Sequence, residues 1–293
     1  MKEGIERYSK ILMPSLFVIV IILVICSVNL PGASAGIDFL LKPDFSKVGN
    51  GVVLSAIGQA FYSLSLGMGC LTTYASYFRD DTSLGKTALH VGIIDTLVAL
   101  MSGFIIFPAV FNAGYSLQPQ DIGPSLIFIT LPNVFQQSFA SLPFVGYLFA
   151  ILFYLLLIVA AITSSISLHE VVTAYIHEEF KISRHRSATL VTIGCIVLGS
   201  LCSLSFGVLS GATICQRSIF DMFDFVTSNI LVPLSGISVA IFVGWYLDRK
   251  IVENEITNNG NLRGRYLPYV RFLIRYIAPL AIVAILLNQF GLL

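Results

Sequence analysis

The sequence predicts an all-helical integral membrane bundle with about seven spanning segments, and three observations carry that prediction. Charged residues are 11 % of the 293 and hydrophobic ones 56 %, whereas a soluble domain carries roughly 25 % charge. Apolar blocks long enough to cross a bilayer, about 20 residues for a helix, recur at 11–29, 52–78, 88–112, 144–175, 187–206, 222–247 and 269–292. Between them, basic residues gather on alternating ends.

The first block follows a charged turn directly and has no small-residue cleavage site, so it reads as a span rather than a signal peptide. The second contains GQAFYSLSLGMGCLTTYASYF, Gly58 to Phe78, with Ser63, Ser65, Gly67 and Gly69 at its centre. Glycine is costly inside a helix and cannot shield its backbone, so this cluster predicts an unwound stretch whose carbonyls and amides bind something polar. Close helix packing through small residues is the alternative.

The third block holds Asp95 well inside HVGIIDTLVALMSGFIIFP with no basic residue near it in sequence. An ionised group at membrane depth costs at least ~2.5–3.5 kcal/mol, so Asp95 needs a cation, a proton or a partner from another helix. The linker 114–143 has helix-compatible runs between Pro119 and Phe139 and is expected to fold back as a short external lid.

The fourth block is interrupted by AAITSSISLHE, Ala160 to Glu170. Thr163, Ser164 and Ser165 either bond back to a carbonyl one turn earlier or present hard oxygens to Na⁺. Glu170 and His169 either pair with polar neighbours or face a water-filled vestibule. Ahead of the fifth block, His177, Glu178, Glu179, Lys181, Arg184, His185 and Arg186 read as a solvated turn. Asp221 and Asp224 open the sixth block, where a helix N-terminus stabilises carboxylates.

Lys2, Arg7, Lys10, Arg79, Lys86, Lys181, Arg184, Arg186, Arg249, Lys250, Arg263, Arg265, Arg271 and Arg275 fall on one set of ends, and only Lys42, Lys47 and Arg217 on the other. By the positive-inside rule the N-terminus is cytoplasmic and the C-terminus external. A net charge of +1, spread between apolar blocks, argues against a nucleic-acid partner. Cys26, Cys70, Cys195, Cys202 and Cys215 lack metal-ligand or disulfide-scaffold spacing and read as small core residues. The four histidines form no metal pattern with acids or cysteines, and neither a Gly-x-Ser-x-Gly elbow nor a phosphate-cradling loop is present, so no enzyme is indicated. From the residues alone, a helical transporter with a cation-linked site leads, with a channel subunit as its rival.

In order and spacing, GQAFYSLSLGMG, DTLVALMSGFIIFPAVF, AAITSSISLHEVV and FDFVTSNILVPLSGISVAIFVGW resemble the neurotransmitter:sodium symporter family, specifically its bacterial amino-acid transporter branch. The resemblance implies part of a 5+5 inverted-repeat fold: 11–29 as the family's fifth helix, 52–78 as its discontinuous sixth and 88–112 as its seventh. The lid loop 114–143 follows, then 144–180, 187–206, 218–247 and 269–292 as the eighth to eleventh helices. Gly4 and Pro14 match a Gly-x9-Pro motif that permits local unwinding.

It further implies sodium-coupled symport of an amino acid or similar small solute by alternating access, in the cell membrane, with Na⁺ as the coupling ion and no other cofactor. Tyr62, Ser65, Gly67, Met68, Ser164 and Leu168 match substrate-pocket positions. Ser63 and Asp95 match one sodium site; Ala160 by its carbonyl, with Thr163 and Ser164, matches a second. Gln59, Tyr62 and Asp224 match the external gate, Tyr77 and Glu178 the internal one. Ala99 stands where chloride-dependent relatives carry Ser, so Asp95 itself is expected to supply the negative charge and transport to be chloride-independent. Because the likeness begins at the fifth helix, either a companion chain supplies the first four, or this is a truncated non-transporting fragment, an assembly partner or an incomplete gene prediction.

Overall fold

The computed structural model describes residues 2–78, 82–115, 126–257 and 267–290. Arg79, Arg263, Arg265 and the part of the expected lid from Pro119 to residue 125 lie outside them, as do the side chains of Lys2, Arg7 and Lys47. Six helical runs are long and apolar enough to cross a membrane, and a shorter apolar helix, Gly51–Ser63, stands in the second expected span. The chain forms two compact units: residues 1–45 with 93–166, and 46–92 with 167–293.

The first unit contains α1 (Lys2–Val28), α2 (Ala33–Leu41), most of α5 (Leu84–Asn112), a π-helical turn Leu126–Thr130 continued by α6 (Leu131–Ser138), and α7 (Pro143–Phe180) as far as Ile166. α1 runs unbroken through Pro14. Val20, Leu23, Ile105, Val110, Leu131, Val134 and Phe135 are almost wholly buried. The Phe135 ring meets Phe149 and Phe153 edge-on, with centroids 4.9 and 5.0 Å away. The linker 114–143 thus contains a short helix, α6, with its apolar side in this unit's core.

Polar groups in this core are paired, as an environment without water demands. Around Pro108, which donates no amide hydrogen, Ser27 Oγ donates to the Ile105 carbonyl at 2.7 Å and Ser138 Oγ to the Ala109 carbonyl at 2.5 Å. Asn112 accepts from Gly32 N at 2.8 Å and donates to the Ser138 carbonyl at 3.0 Å. Its one side chain thus ties the start of α2 to the end of α6. α2 lies in what reads from sequence as a polar linker; it seats because Gly36 abuts the Phe107–Pro108 backbone, where a Cβ would come within 2.6 Å.

The second unit contains α3 (Asn50–Ser63), α4 (Cys70–Ala75), the start of α5, the end of α7, α8 (Arg184–Leu204), strands β1 (Thr213–Ile214) and β2 (Arg217–Ser218), and two long runs. One run is α9 (Ile219–Asp224), a π turn Phe225–Leu231, α10 (Val232–Ile241) and a π turn Phe242–Tyr246; α11 (Arg249–Thr257) follows it. The other is α12 (Leu267–Phe272), a π turn Leu273–Ile277 and α13 (Ala278–Gln289). Its core is small: Phe61, Val232, Ile282 and Ile285, with Met68 and Ile237 against them.

The strands form a hairpin pairing Thr213 with Ser218 and Ile214 with Arg217, turned by Cys215 and Gln216 at φ 50 and 65°. Two consecutive positive φ values match the right-handed twist of paired strands. Cys215 is therefore exposed at a turn, and Cys195 is exposed on α8; Cys26 and Cys202 are half-buried and only Cys70 is buried. The expectation of five core cysteines fails because length and polarity of a segment do not say which helix face is covered.

Candidate functional site

The second expected span breaks where its glycines fall. α3 ends at Ser63 and α4 begins at Cys70; between them Ser65, Gly67 and Gly69 take φ values of 53, 79 and 79°. Turn bonds from Ser65 N to the Tyr62 carbonyl at 2.9 Å and from Leu66 N to the Phe61 carbonyl at 3.1 Å close the upstream end. Among the described residues, the carbonyls of Leu64, Leu66, Gly67 and Met68 accept no backbone hydrogen bond. Acceptors left open at membrane depth are tolerated only against protein or a polar cavity.

Gly67 answers both sequence readings at once. Its positive φ lets the chain unwind, and a Cβ there would lie 2.5 Å from the Val232 carbonyl, so it also lets α10 approach. Ser65 and Met68 flank it, half-buried.

Beside the break, a cavity of about 450 Å³ is lined by Gln59, Tyr62, Asp224, Ser228, Asn229, Asn288 and Gln289 among others. It brings Gln59 and Tyr62, one turn apart on α3, together with the sequence-remote Asp224, the three residues that the family resemblance ties to an external gate. Asp224 accepts from Ser228 Oγ at 3.0 Å. Asp221 is occupied locally: Ser218 caps α9, accepting from Asp221 N at 3.1 Å and donating to its Oδ2 at 2.7 Å, which fits the helix-terminus reading. Asn288 and Gln289 were not singled out from sequence. Their signal was a polar pair ending the last apolar run, and nothing local linked it to residue 62.

At the other end of the broken span, Tyr77 Oη donates to Glu170 Oε1 at 2.8 Å, and Arg184 forms an ion pair with the same oxygen. Glu170 is 5 % exposed, so it is a buried carboxylate with two donors. Tyr74 Oη donates to Ser167 Oγ at 2.6 Å, a second tie between α4 and α7. His169 bridges Thr192 and Thr173 through its two ring nitrogens at 3.0 and 3.2 Å, and His177 Nδ1 donates to the Ile182 carbonyl at 2.7 Å. Glu170 and His169 thus follow the pairing alternative. Arg184 leaves the solvated turn in which the sequence placed it, while Glu178 is exposed on α7 and Tyr77 bonds to Glu170 instead.

The remaining residues divide between the units. Ser63, at the end of α3, and Leu168 belong to the second, whereas Asp95, Ala160, Thr163 and Ser164 belong to the first. Thr163 Oγ1 donates to the Ala160 carbonyl at 2.9 Å. That is the local back-bond of an ordinary membrane helix, yet it holds two hard oxygens side by side. Ser164 is exposed next to them, and Asp95 is half-buried on α5.

A family model described as the sodium:neurotransmitter symporter family matches residues 1–291. An uncharacterized sodium-dependent transporter of Haemophilus influenzae is 39 % identical over 288 residues, covering 98 % of this chain and 60 % of the relative. Another, YhdH of Bacillus subtilis, is 36 % identical over 293 residues, covering 100 % and 63 %. Among solved structures, the crystal structure of MhsT in complex with L-phenylalanine superposes with a TM-score of 0.82 at 40 % identity, covering 98 % of this chain and 63 % of that one. The chain thus spans about six-tenths of the length of the relatives it matches.

Proposed function

Because this chain belongs to the sodium:neurotransmitter symporter family, we propose that it carries the broken-helix part of the substrate and sodium sites of a membrane symporter for an amino acid. One observation carries the reading: the backbone break from Leu64 to Gly69, with open carbonyls, directly follows the end of α3, whose Gln59 and Tyr62 line a polar cavity in an otherwise apolar helix bundle. Broken helices in transporters offer just such carbonyls and amides to ions and charged substrate ends.

In this reading Ser65, Gly67, Met68, Ser164 and Leu168 contact the substrate and Tyr62 covers it. Met68 is flexible and polarizable, suited to an apolar side chain, and the match to MhsT with bound L-phenylalanine supports an aromatic amino acid. Ser63 and Asp95 hold one Na⁺; the Ala160 carbonyl, Thr163 and Ser164 hold a second. Asp95 supplies the negative charge that would otherwise come from chloride.

Gln59, Tyr62 and Asp224 close the outward path, and Tyr77 with Glu178 the inward one, in alternation. The N-terminus faces the cytoplasm. Because sodium and substrate complete the same broken segment, each tightens the binding of the other.

The test is uptake of labelled L-phenylalanine into proteoliposomes, by this chain alone and by this chain joined to the part of YhdH outside the match. A sodium gradient is expected to drive saturable uptake in the joined protein, unchanged when gluconate replaces chloride. Uptake that ignores sodium in the joined protein would sink the symport reading, and a strict chloride requirement would sink the role given to Asp95. Ion current without saturable uptake would favour a channel.

A further inference from the structure

A second cavity of about 450 Å³ lies among α3, α10, α13 and the π turns flanking the latter two. Every residue lining it is apolar, including Ile57, Leu64, Val239, Val243, Ile274 and Ala278. Its volume falls in the range of ligand sites, ~300–1,000 Å³. Its lining offers no polar side chain to a zwitterionic amino acid or to an ordered water, which needs two to four partners. What fills such a space in a membrane chain is hydrocarbon.

Beside it stands a cation. Arg275 follows Ile274 and precedes Ala278 by one turn, and both of those residues line the cavity. Its guanidinium stacks on Trp245, 4.2 Å from the ring centroid, with Tyr276 at 5.6 Å. The Trp245 indole N–H donates to the Arg275 carbonyl at 3.0 Å, fixing the ring. Gly244 abuts Arg275 Cα, where a Cβ would sit at 3.0 Å, so the backbones approach closely enough for the stack to form. Arg275 Nε is buried and has no hydrogen-bond partner, and among the described residues no carboxylate pairs with this side chain. A cation inside a spanning segment, held by aromatic faces and lacking an anion, is incompletely compensated.

We infer that this apolar cavity and Arg275 together form a site for an anionic phospholipid, with an acyl chain in the cavity and the phosphate at the guanidinium. Leu64, Leu66 and Gly67 line the same cavity, so the bound chain would press on the unwound segment. Lipid would then be part of what holds the break in shape.

Trp245 is the only tryptophan in the sequence, so its fluorescence reports on this place alone. The chain would be reconstituted in vesicles of phosphatidylcholine mixed with phosphatidylglycerol or phosphatidylcholine carrying brominated chains, which quench a tryptophan they touch. Brominated phosphatidylglycerol is expected to bind about fivefold more tightly than brominated phosphatidylcholine, the worth of roughly 1 kcal/mol for one basic residue near anionic lipid. Arg275→Gln should erase that preference, and Arg275→Lys should keep most of it. Lys250→Gln, on an exposed basic residue, should leave it intact. Ala278→Leu, which fills the cavity, should weaken quenching by both lipids.

Equal quenching by the two lipids in the unaltered chain would overturn the proposal. So would a preference that survives Arg275→Gln, or one lost equally in Lys250→Gln, since either means diffuse attraction to the surface. Displacement of brominated phosphatidylglycerol by millimolar inorganic phosphate alone would make the site an anion site rather than a lipid site, and would overturn it too.

Discussion

The two compact units solve the same environmental problem in opposite ways. In the first, fourteen buried apolar residues form one continuous cluster, and the polar groups around Pro108 are spoken for by Ser27 and Ser138, with Asn112 tying the next turn to its neighbours. In the second, the buried cluster has four residues among those described, and two cavities of about 450 Å³ flank α3, which stops partway along the second expected span. Within lipid the hydrophobic effect does not drive helices together, so dispersion contacts and polar ties decide stability. The first unit has the build of a frame; the second gives up those contacts around the segment that the proposed function uses.

The largest expected effect tests the frame. Phe135→Ala removes a wholly buried ring touching Phe149 and Phe153 and should destabilise the protein by about 3–5 kcal/mol, read as a fall in the thermal midpoint in detergent. A shift no larger than that of an exposed-site control would mean that the first unit is not the better packed one.

Arg184→Ala leaves Glu170 buried with only Tyr77 as donor. Breaking a buried pair from one side costs about 3 kcal/mol. Restored stability in the double variant Arg184→Ala, Glu170→Gln would show that the loss comes from the uncompensated carboxylate. Gly67→Ala should cost ~1–2 kcal/mol for the left-handed backbone alone, with more from the clash at the Val232 carbonyl. Uptake by the joined protein is expected to fall further than its stability does.

Asp95→Ala asks whether the frame also supplies an ion ligand. The sodium concentration for half-maximal uptake should rise about tenfold, the equivalent of ~1.4 kcal/mol; an unchanged sodium dependence removes Asp95 from the site. The smallest effect sharpens the contrast from the other side. Ala278→Leu fills space in the second unit and should change stability by less than about 1 kcal/mol, where the same enlargement at Ala109, wholly buried in the first, should cost ~1–3 kcal/mol.

Much of this was legible in the sequence because the bilayer imposes a length. All the expected spans are helical, and the break lies where Gly67 and Gly69 put it, since glycine makes a left-handed backbone cheap. What escaped was what depends on neighbours remote in the chain. α2 hides in a linker because its seat is a glycine contact on Phe107 and Pro108. Arg184 looked solvated because Glu170, fourteen residues away, lies a turn of chain and a helix end from it. Asn288 and Gln289 join Tyr62 only through three-dimensional packing. The cysteines were misjudged for the same reason: composition places a segment in the membrane without choosing which face is covered.

The paired π turns Phe242–Tyr246 and Leu273–Ile277 have a consequence for how this chain can vary in length. A π turn accommodates one residue more than an α-helix needs. Deleting that residue restores an ordinary helix and leaves the flanking segments close to their former faces, whereas a deletion in a regular helix swings everything beyond it by about 100°. Here the two turns lie against each other, with Gly244 on the Arg275 backbone. A single deletion within either turn would therefore disturb the Trp245–Arg275 stack locally and spare the packing of the run beyond it. Each π turn is thus a place where its helix can lose one residue without re-aiming the rest of the run.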